Sequence, residues 1–255
     1  MNNDQLYPHS RHTDISDAQD IQDVEYVHAG SNVRRFMASV FLWMFVALGI
    51  SAALAYIFAS NTQLLGYLVN TETGKLNILG YAAMFSPLAF VLIMSFGLNR
   101  LSFTALAGIF LLYSAVMGIS MSFILLAYTA GSVVGCFLTA SAIFGVMGVA
   151  GYTTQMDLTK FGSILMMLLL GVIVATLINY FLHSEQLDYI ISYVGVAIFT
   201  GLVAYDVQRL KRIGQGMEYG DASTKKLAVM GGLSLYLDFV NLFLFLLRIF
   251  GGRRN

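Results

Sequence analysis

The 255 residues are 58% hydrophobic and only 11% charged, and 14 basic side chains balance 14 acidic ones to a net charge of zero. A soluble domain carries about 25% charged residues, so this composition excludes a fully hydrated surface, and lipid must cover much of the protein. Zero net charge gives no reason to expect nucleic acid as a partner, and the single cysteine, Cys136, excludes an internal disulfide or a structural zinc site.

Residues 1–32 form an acidic polar segment, with Asp4, Asp14, Asp17, Asp20, Asp23 and Glu25 against Arg11. A secretory signal opens with positive charge and then turns apolar, so this segment is expected to be a disordered or weakly helical tail. Its histidines, His9, His12 and His28, are scattered without ligand spacing. From residue 33 to 250 the chain reads as one membrane domain, followed by a short basic tail, 251–255.

About 20 apolar residues are needed to cross roughly 30 Å of hydrocarbon. Seven windows answer to that: 35–60, 79–98, 103–126, 130–153, 161–182, 189–208 and 230–250. Backbone groups left unpaired in lipid are too costly for loops or open strands, so these spans are predicted helices. Strict alternation in segments of about 10 residues, the mark of a β-barrel, is absent. The fold class is therefore an all-α integral membrane protein, a seven-helix bundle. Connections are short except 61–78 and the charged stretch 209–229. Gly131 and Gly135, then Gly145, Gly148 and Gly151, with Gly201, Gly231 and Gly232, are expected to let helices approach closely. Pro87 is expected to kink the second span.

Lys and Arg at span ends set orientation. A cytoplasmic N-terminus places Arg34, Arg35, Arg100, Lys160, Arg209, Lys211, Arg212, Lys225 and Lys226 inside, and leaves Lys75 and the acidic Glu185–Asp188 connection outside. Seven full crossings would also put Arg248, Arg253 and Arg254 outside. Either the seventh span re-enters, or these arginines break the rule.

Of the 14 acidic residues, only Asp206 and Asp238 fall inside spans, the sixth and the seventh. An aspartate at mid-helix costs about 2.5–3.5 kcal/mol on insertion scales, so each is expected to face the bundle interior. If the two spans are antiparallel neighbours, the carboxyls meet in one dry pocket, where both cannot ionise cheaply. A proton shared by the pair is then a property of the pair. Arg209, one turn beyond Asp206, offers a purely structural neutralisation instead. Arg100, at the end of the second span, either snorkels at the membrane edge or reaches inward to a carboxylate. Tyr205 and Tyr236 beside the aspartates, Asn241 one turn after Asp238, and Asn179 in the fifth span are candidate pocket residues. No Walker lysine loop, GxSxG, HExxH or CxxC is present, so no enzyme is expected and no cofactor is called for.

Residues 234–250, Ser-Leu-Tyr-Leu-Asp-Phe-Val-Asn-Leu-Phe-Leu-Phe-Leu-Leu-Arg-Ile-Phe, closely resemble the C-terminal signature of the Bax inhibitor-1, or transmembrane Bax inhibitor motif, family. Gly201-Leu-Val-Ala-Tyr-Asp206-Val-Gln resembles its sixth helix, and Phe110-Leu-Leu-Tyr-Ser-Ala-Val-Met-Gly118-Ile-Ser120 its third. The C-terminal residues look bacterial, which points to the inner membrane. The resemblance implies seven helices with the last near the centre. It also implies a pH-sensitive calcium leak, in which Asp206 and Asp238 share a proton and an arginine matching Arg100 by spacing helps control opening; calcium, a hard cation that takes oxygen ligands, is then expected to contact the two carboxylates transiently as it passes. Two other functions remain open: a regulatory protein that binds a membrane-bound protease, and an intramembrane aspartyl protease. Paired carboxyls suit the latter. However, Leu235-Tyr-Leu-Asp238 departs from the Gly-x-Gly-Asp of presenilin-type enzymes, and their Pro-Ala-Leu motif is absent.

Overall fold

The computed structural model describes residues 15–70, 75–98, 100–217 and 221–253, with side chains from Gly30 onward except that of Leu88. The expectations for residues 1–14, including His9 and His12, and for Arg254 lie outside these residues, as does the side chain of His28. Eight helices follow in order: α1 (Ile15–Ser60), the short α2 (Thr62–Gly66), α3 (Ile78–Gly97), α4 (Phe103–Ala127), α5 (Ala130–Thr153), α6 (Thr159–Leu182), α7 (Glu185–Gln215) and α8 (Ala222–Phe250). Among the described residues, seven are long and apolar enough to cross a membrane: α1 from Gly30, and α3 to α8.

Polar residues placed at the ends explain where helices begin. Asn77, Ser102, Thr129 and Ser184 each accept a first-turn backbone N–H with their side-chain oxygen, the role for which short oxygen-bearing residues are favoured at helix starts. The tight α6–α7 turn is closed by His183 in the left-handed conformation, φ 51°. The 209–229 connection is much shorter than the hydropathy pattern implies. α7 runs on to Gln215 and α8 starts at Ala222, because charges end an apolar window without ending a helix: Leu210 and Gly214 keep the α7 stripe buried beyond Arg209.

α7 and α8 form the centre. α8 packs on α7, α1, α5 and α4, while α7 packs on α8, α5, α6 and α1. α3 lies chiefly on α4, and α6 on α7. Glycines make two of these contacts possible. A Cβ on Gly151 would lie 2.2 Å from the Ala204 carbonyl oxygen, so α5 and α7 touch backbone to backbone. A Cβ on Gly118 would lie 2.5 Å from the Ser51 carbonyl oxygen, joining α4 to α1 in the same way. By contrast, Gly131, Gly135 and Gly145 meet nothing within 4 Å, so the expectation that they pack helices within this chain does not hold. They lie on the outer face of α5.

α8 does not re-enter. It runs unbroken for 29 residues, about 44 Å at 1.5 Å per residue, and ends beside the α4–α5 and α6–α7 connections. There the Thr129 N–H donates to the Gly252 carbonyl at 3.0 Å, and the Gly252 N–H donates to Ser132 Oγ at 2.9 Å. Arg248 Nη1 lies 3.3 Å from Asp188 Oδ1. A basic residue that contradicts the charge bias thus has its own counter-ion.

Pro87 sits inside α3, where its missing N–H leaves the Ala83 carbonyl without its usual partner four residues on. In lipid an orphaned carbonyl is expensive. The Ser120 hydroxyl on α4 donates to that oxygen. A break in one helix therefore becomes a bond to the next. Ser120→Ala is expected to cost about 1–3 kcal/mol in thermal unfolding of the detergent-solubilised protein. Ser141→Ala, whose hydroxyl only bonds back within α5 to Phe137, is expected to change little. Pro87→Ala should rescue Ser120→Ala, because it returns the N–H; lack of rescue would break the link.

Candidate functional site

The sixth and seventh spans, α7 and α8, bring Asp206 and Asp238 together. Asp206 is 7% and Asp238 6% exposed. Each stands among buried apolar neighbours on its helix, Val203 and Val207 beside one, Leu235 and Leu242 beside the other. Those stripes turn toward each other, and the aspartates turn with them. The two carboxyls face each other across the α7–α8 interface, close enough to interact. Ser234, one turn before Asp238, donates its hydroxyl to Asp206 Oδ2. Arg209 Nη1 lies 3.6 Å from Asp206 Oδ1, its side chain 57% exposed. Asp238 Oδ2 is buried and has no hydrogen-bond partner.

Two cavities meet at Asp206. One, about 210 Å³, runs past Ser95, Leu98, Ile213 and Leu227 toward the ends of α3 and α7 that carry Arg100 and Arg212. The other, about 760 Å³, runs past Met117, Ile173, Phe199 and Asn241 to Phe245. Val91, Asp206, Arg209, Ser234 and Leu237 line both, whereas Asp238 lines only the larger.

The other candidates divide. Tyr205 lines the larger cavity, its ring packed where a Cβ on Gly162 would otherwise sit. Asn241 lines it too, but donates to the Leu237 carbonyl at 2.8 Å rather than to Asp238. Tyr236 faces the opposite way. Its hydroxyl lies 2.7 Å from Ser51 Oγ, which donates to the Ser114 carbonyl. Because the serine proton is committed to that carbonyl, Tyr236 is the donor, and it locks α8 to α1 and α4. Asn179 stands at the α6–α7 turn, where its Oδ1 accepts from the Ser184 N–H at 3.1 Å. Arg100 is exposed in the α3–α4 connection and lines neither cavity. The arginine at the pair is Arg209. Among the described residues, no group of three or more His, Cys, Asp or Glu is placed to hold a metal ion.

Sequence reasoning missed Ser234. Its position one turn before Asp238 was the available signal, because residues four apart share a helix face. It also missed a polar clamp over the α5–α6 connection. Gln208 accepts from the Leu158 N–H at 2.9 Å and donates to the Met156 carbonyl at 2.7 Å. Arg212 Nη2 reaches Asp157 Oδ1 at 2.8 Å, and Lys211 donates to the Tyr152 carbonyl at 2.9 Å.

These features define a polytopic helical membrane protein built around a buried acid pair. Residues 33–255 match the family described as Inhibitor of apoptosis-promoting Bax1. The chain is 39% identical over 229 residues to the inner membrane protein YbhL of Escherichia coli, covering 89% of this chain and 96% of that one. It is 41% identical over 222 residues to a protein of Borreliella burgdorferi, covering 87% and 93%. It is 37% identical over 232 residues to a membrane protein of Streptococcus pyogenes, covering 89% and 97%. The chain belongs to the Bax inhibitor-1 family.

Two outcomes follow from this geometry. Ser234→Ala is expected to cost about 1–3 kcal/mol by leaving the buried Asp206 short of a donor, and Ser234→Thr, which keeps the hydroxyl, much less; thermal unfolding compares them. The Asp157 carboxyl is held well below the usual carboxylate range, first by the Thr159 hydroxyl at 2.6 Å, then by the Thr159 N–H and Arg212. A depressed carboxyl stabilises the fold above its unfolded value, about 3.9, and that contribution fades as pH falls below it. Wild type is therefore expected to lose more melting temperature than Asp157→Asn between pH 6 and pH 3. Equal losses would show that the clamp carries no such linkage.

Proposed function

We propose that this protein is a pH-sensitive calcium leak channel of the bacterial cytoplasmic membrane, with the Asp206–Asp238 pair as its proton-sensitive gate. The observation that carries this reading is the pair of cavities meeting at Asp206. Together they line α8 from Leu227 to Phe245, about 27 Å along the helix, close to the roughly 30 Å of a hydrocarbon core. Asp206 lies where the two cavities join and Asp238 lines the larger one beside it, so an ion that passes from one to the other passes the carboxyls.

Calcium is a hard cation that takes oxygen ligands, and the Asp206 and Asp238 carboxyls offer them as transient contacts. With one proton between them, the carboxyls are tied across the α7–α8 interface. Without it, two like charges face each other in a site of low dielectric, which favours either separation or a cation. Arg209 at the junction balances one of the two charges and is the basic group we assign to gating. Inner membrane placement is supported by the name of the Escherichia coli relative. A cytoplasmic N-terminus is supported by the basic side chains at the α3–α4, α5–α6 and α7–α8 ends.

The test is calcium flux into proteoliposomes at about pH 6 and about pH 8. Wild type is expected to conduct differently at the two values. Asp206→Asn and Asp238→Asn are each expected to lose that difference, and Arg209→Gln to alter it more than Arg100→Gln. Flux no greater than in empty liposomes at both pH values would sink the leak reading.

A further inference from the structure

We propose that the larger cavity binds an amphiphile with a long alkyl body and a protonated amine head, the ammonium taking the place of the proton shared by Asp206 and Asp238. This rests on the shared proton of the reading above, but not on ion conduction.

The cavity's size, about 760 Å³, is that of a site for a small organic ligand. Its walls are mostly apolar and come from five helices, with Pro87 and Val91 on α3, Ile173 on α6 and Phe245 on α8 among them. α3 and α6 are opposite walls, and each packs chiefly on its own neighbour, α4 or α7, rather than on the other. The cleft between them gives an alkyl chain a way in from the bilayer. Burying that chain is worth about 0.8 kcal/mol per methylene taken from water.

The head group follows from charge and from an unmet acceptor. The titratable or charged residues lining the cavity are Asp206, Arg209 and Tyr205 on α7, Asp238 on α8 and Tyr113 on α4; the lining residues of α3 and α6 carry no charge. Two carboxylates, Arg209 and one proton sum to zero. Once the proton leaves, one negative charge is unbalanced in an otherwise uncharged cavity. Asp238 lines that cavity, and its Oδ2 has no donor. Rotation about the terminal torsion of an aspartate is soft, so either oxygen can be turned to a ligand. An ammonium brings both a positive charge and three N–H donors. A carboxylate head would meet the acid pair with like charge, and an alcohol would supply a donor without the charge.

Native mass spectrometry of the full chain, with dodecylamine, dodecanol and dodecanoate as probes, tests this. One dodecylamine per chain is expected, bound more tightly at pH 8 than at pH 6, by at most tenfold per pH unit for one displaced proton. Asp206→Asn and Asp238→Asn should each weaken it about tenfold or more, the loss expected of a charged partner. Thr176→Phe, which fills the apolar part and leaves the acids in place, should weaken all three probes alike. Equal binding of dodecanol, or binding untouched by both Asn variants, would overturn the proposal. So would a preference for dodecanoate that is lost in Arg209→Gln. Proteoliposome flux separates this from the leak reading. If pH-dependent flux is present and dodecylamine does not bind, the amine site alone fails. If dodecylamine binds as described without flux, the leak alone fails.

Discussion

Two carboxyl groups sharing one buried interface set the terms for the rest of this molecule. Moving a charge out of water costs far more than any single contact returns. Asp206 finds part of what water would supply in the Ser234 hydroxyl and in Arg209 at the exposed edge, while Asp238 Oδ2 is left without a donor. Such a set of partners must be held closely, since a half-satisfied polar network is worse than an apolar one. α7 and α8 accordingly hold the centre of the bundle, where the α5 backbone braces one and α1 and α4 lock the other through Ser51 and Tyr236. The remaining crossings serve as walls or scaffolding for those two.

The same accounting explains other departures from apolar regularity. Where Pro87 opens a carbonyl in α3, a serine from α4 closes it. Where Arg248 closes the last turn of α8, Asp188 lies beside it. Where the α5–α6 connection leaves backbone groups exposed, Gln208 and Lys211 reach out from α7 to bond them. Lipid offers no hydrogen bonds, and these three irregular features near or within it are each met by a side chain from a neighbouring element.

This accounts for what could be read in advance. Hydropathy located all seven crossings, because lipid imposes one length and one polarity on every span. The two aspartates stood out for the same reason, as the acids that a random apolar helix would not keep. Helix ends beyond the apolar window were not legible, since Leu210 and Gly214 continue a buried stripe that charges interrupt in the sequence but not in space. Arg209 stood one turn from Asp206 and Arg100 at the end of another span, and only packing shows which of them reaches the pair. Tyr236 adjoins Asp238 within two residues, yet points to another interface, because positions two apart on a helix do not share a face. The outward glycines of α5 carried a pattern read as internal packing, although the pattern names no partner.

α6 leans chiefly on α7, with only Gly162 and Val172 of its residues buried. It is also the most apolar of the seven crossings. During synthesis it leaves the ribosome before α7 exists, so for a time it has no protein neighbour to rest against. A segment that lipid alone can house survives that wait. α7 and α8 are in the opposite position, as each carries a buried acid that meets the other helix at their interface. The order of the chain thus places the self-sufficient crossing first and the interdependent two last, so that they can enter the bilayer as a hairpin with their carboxyls already facing each other.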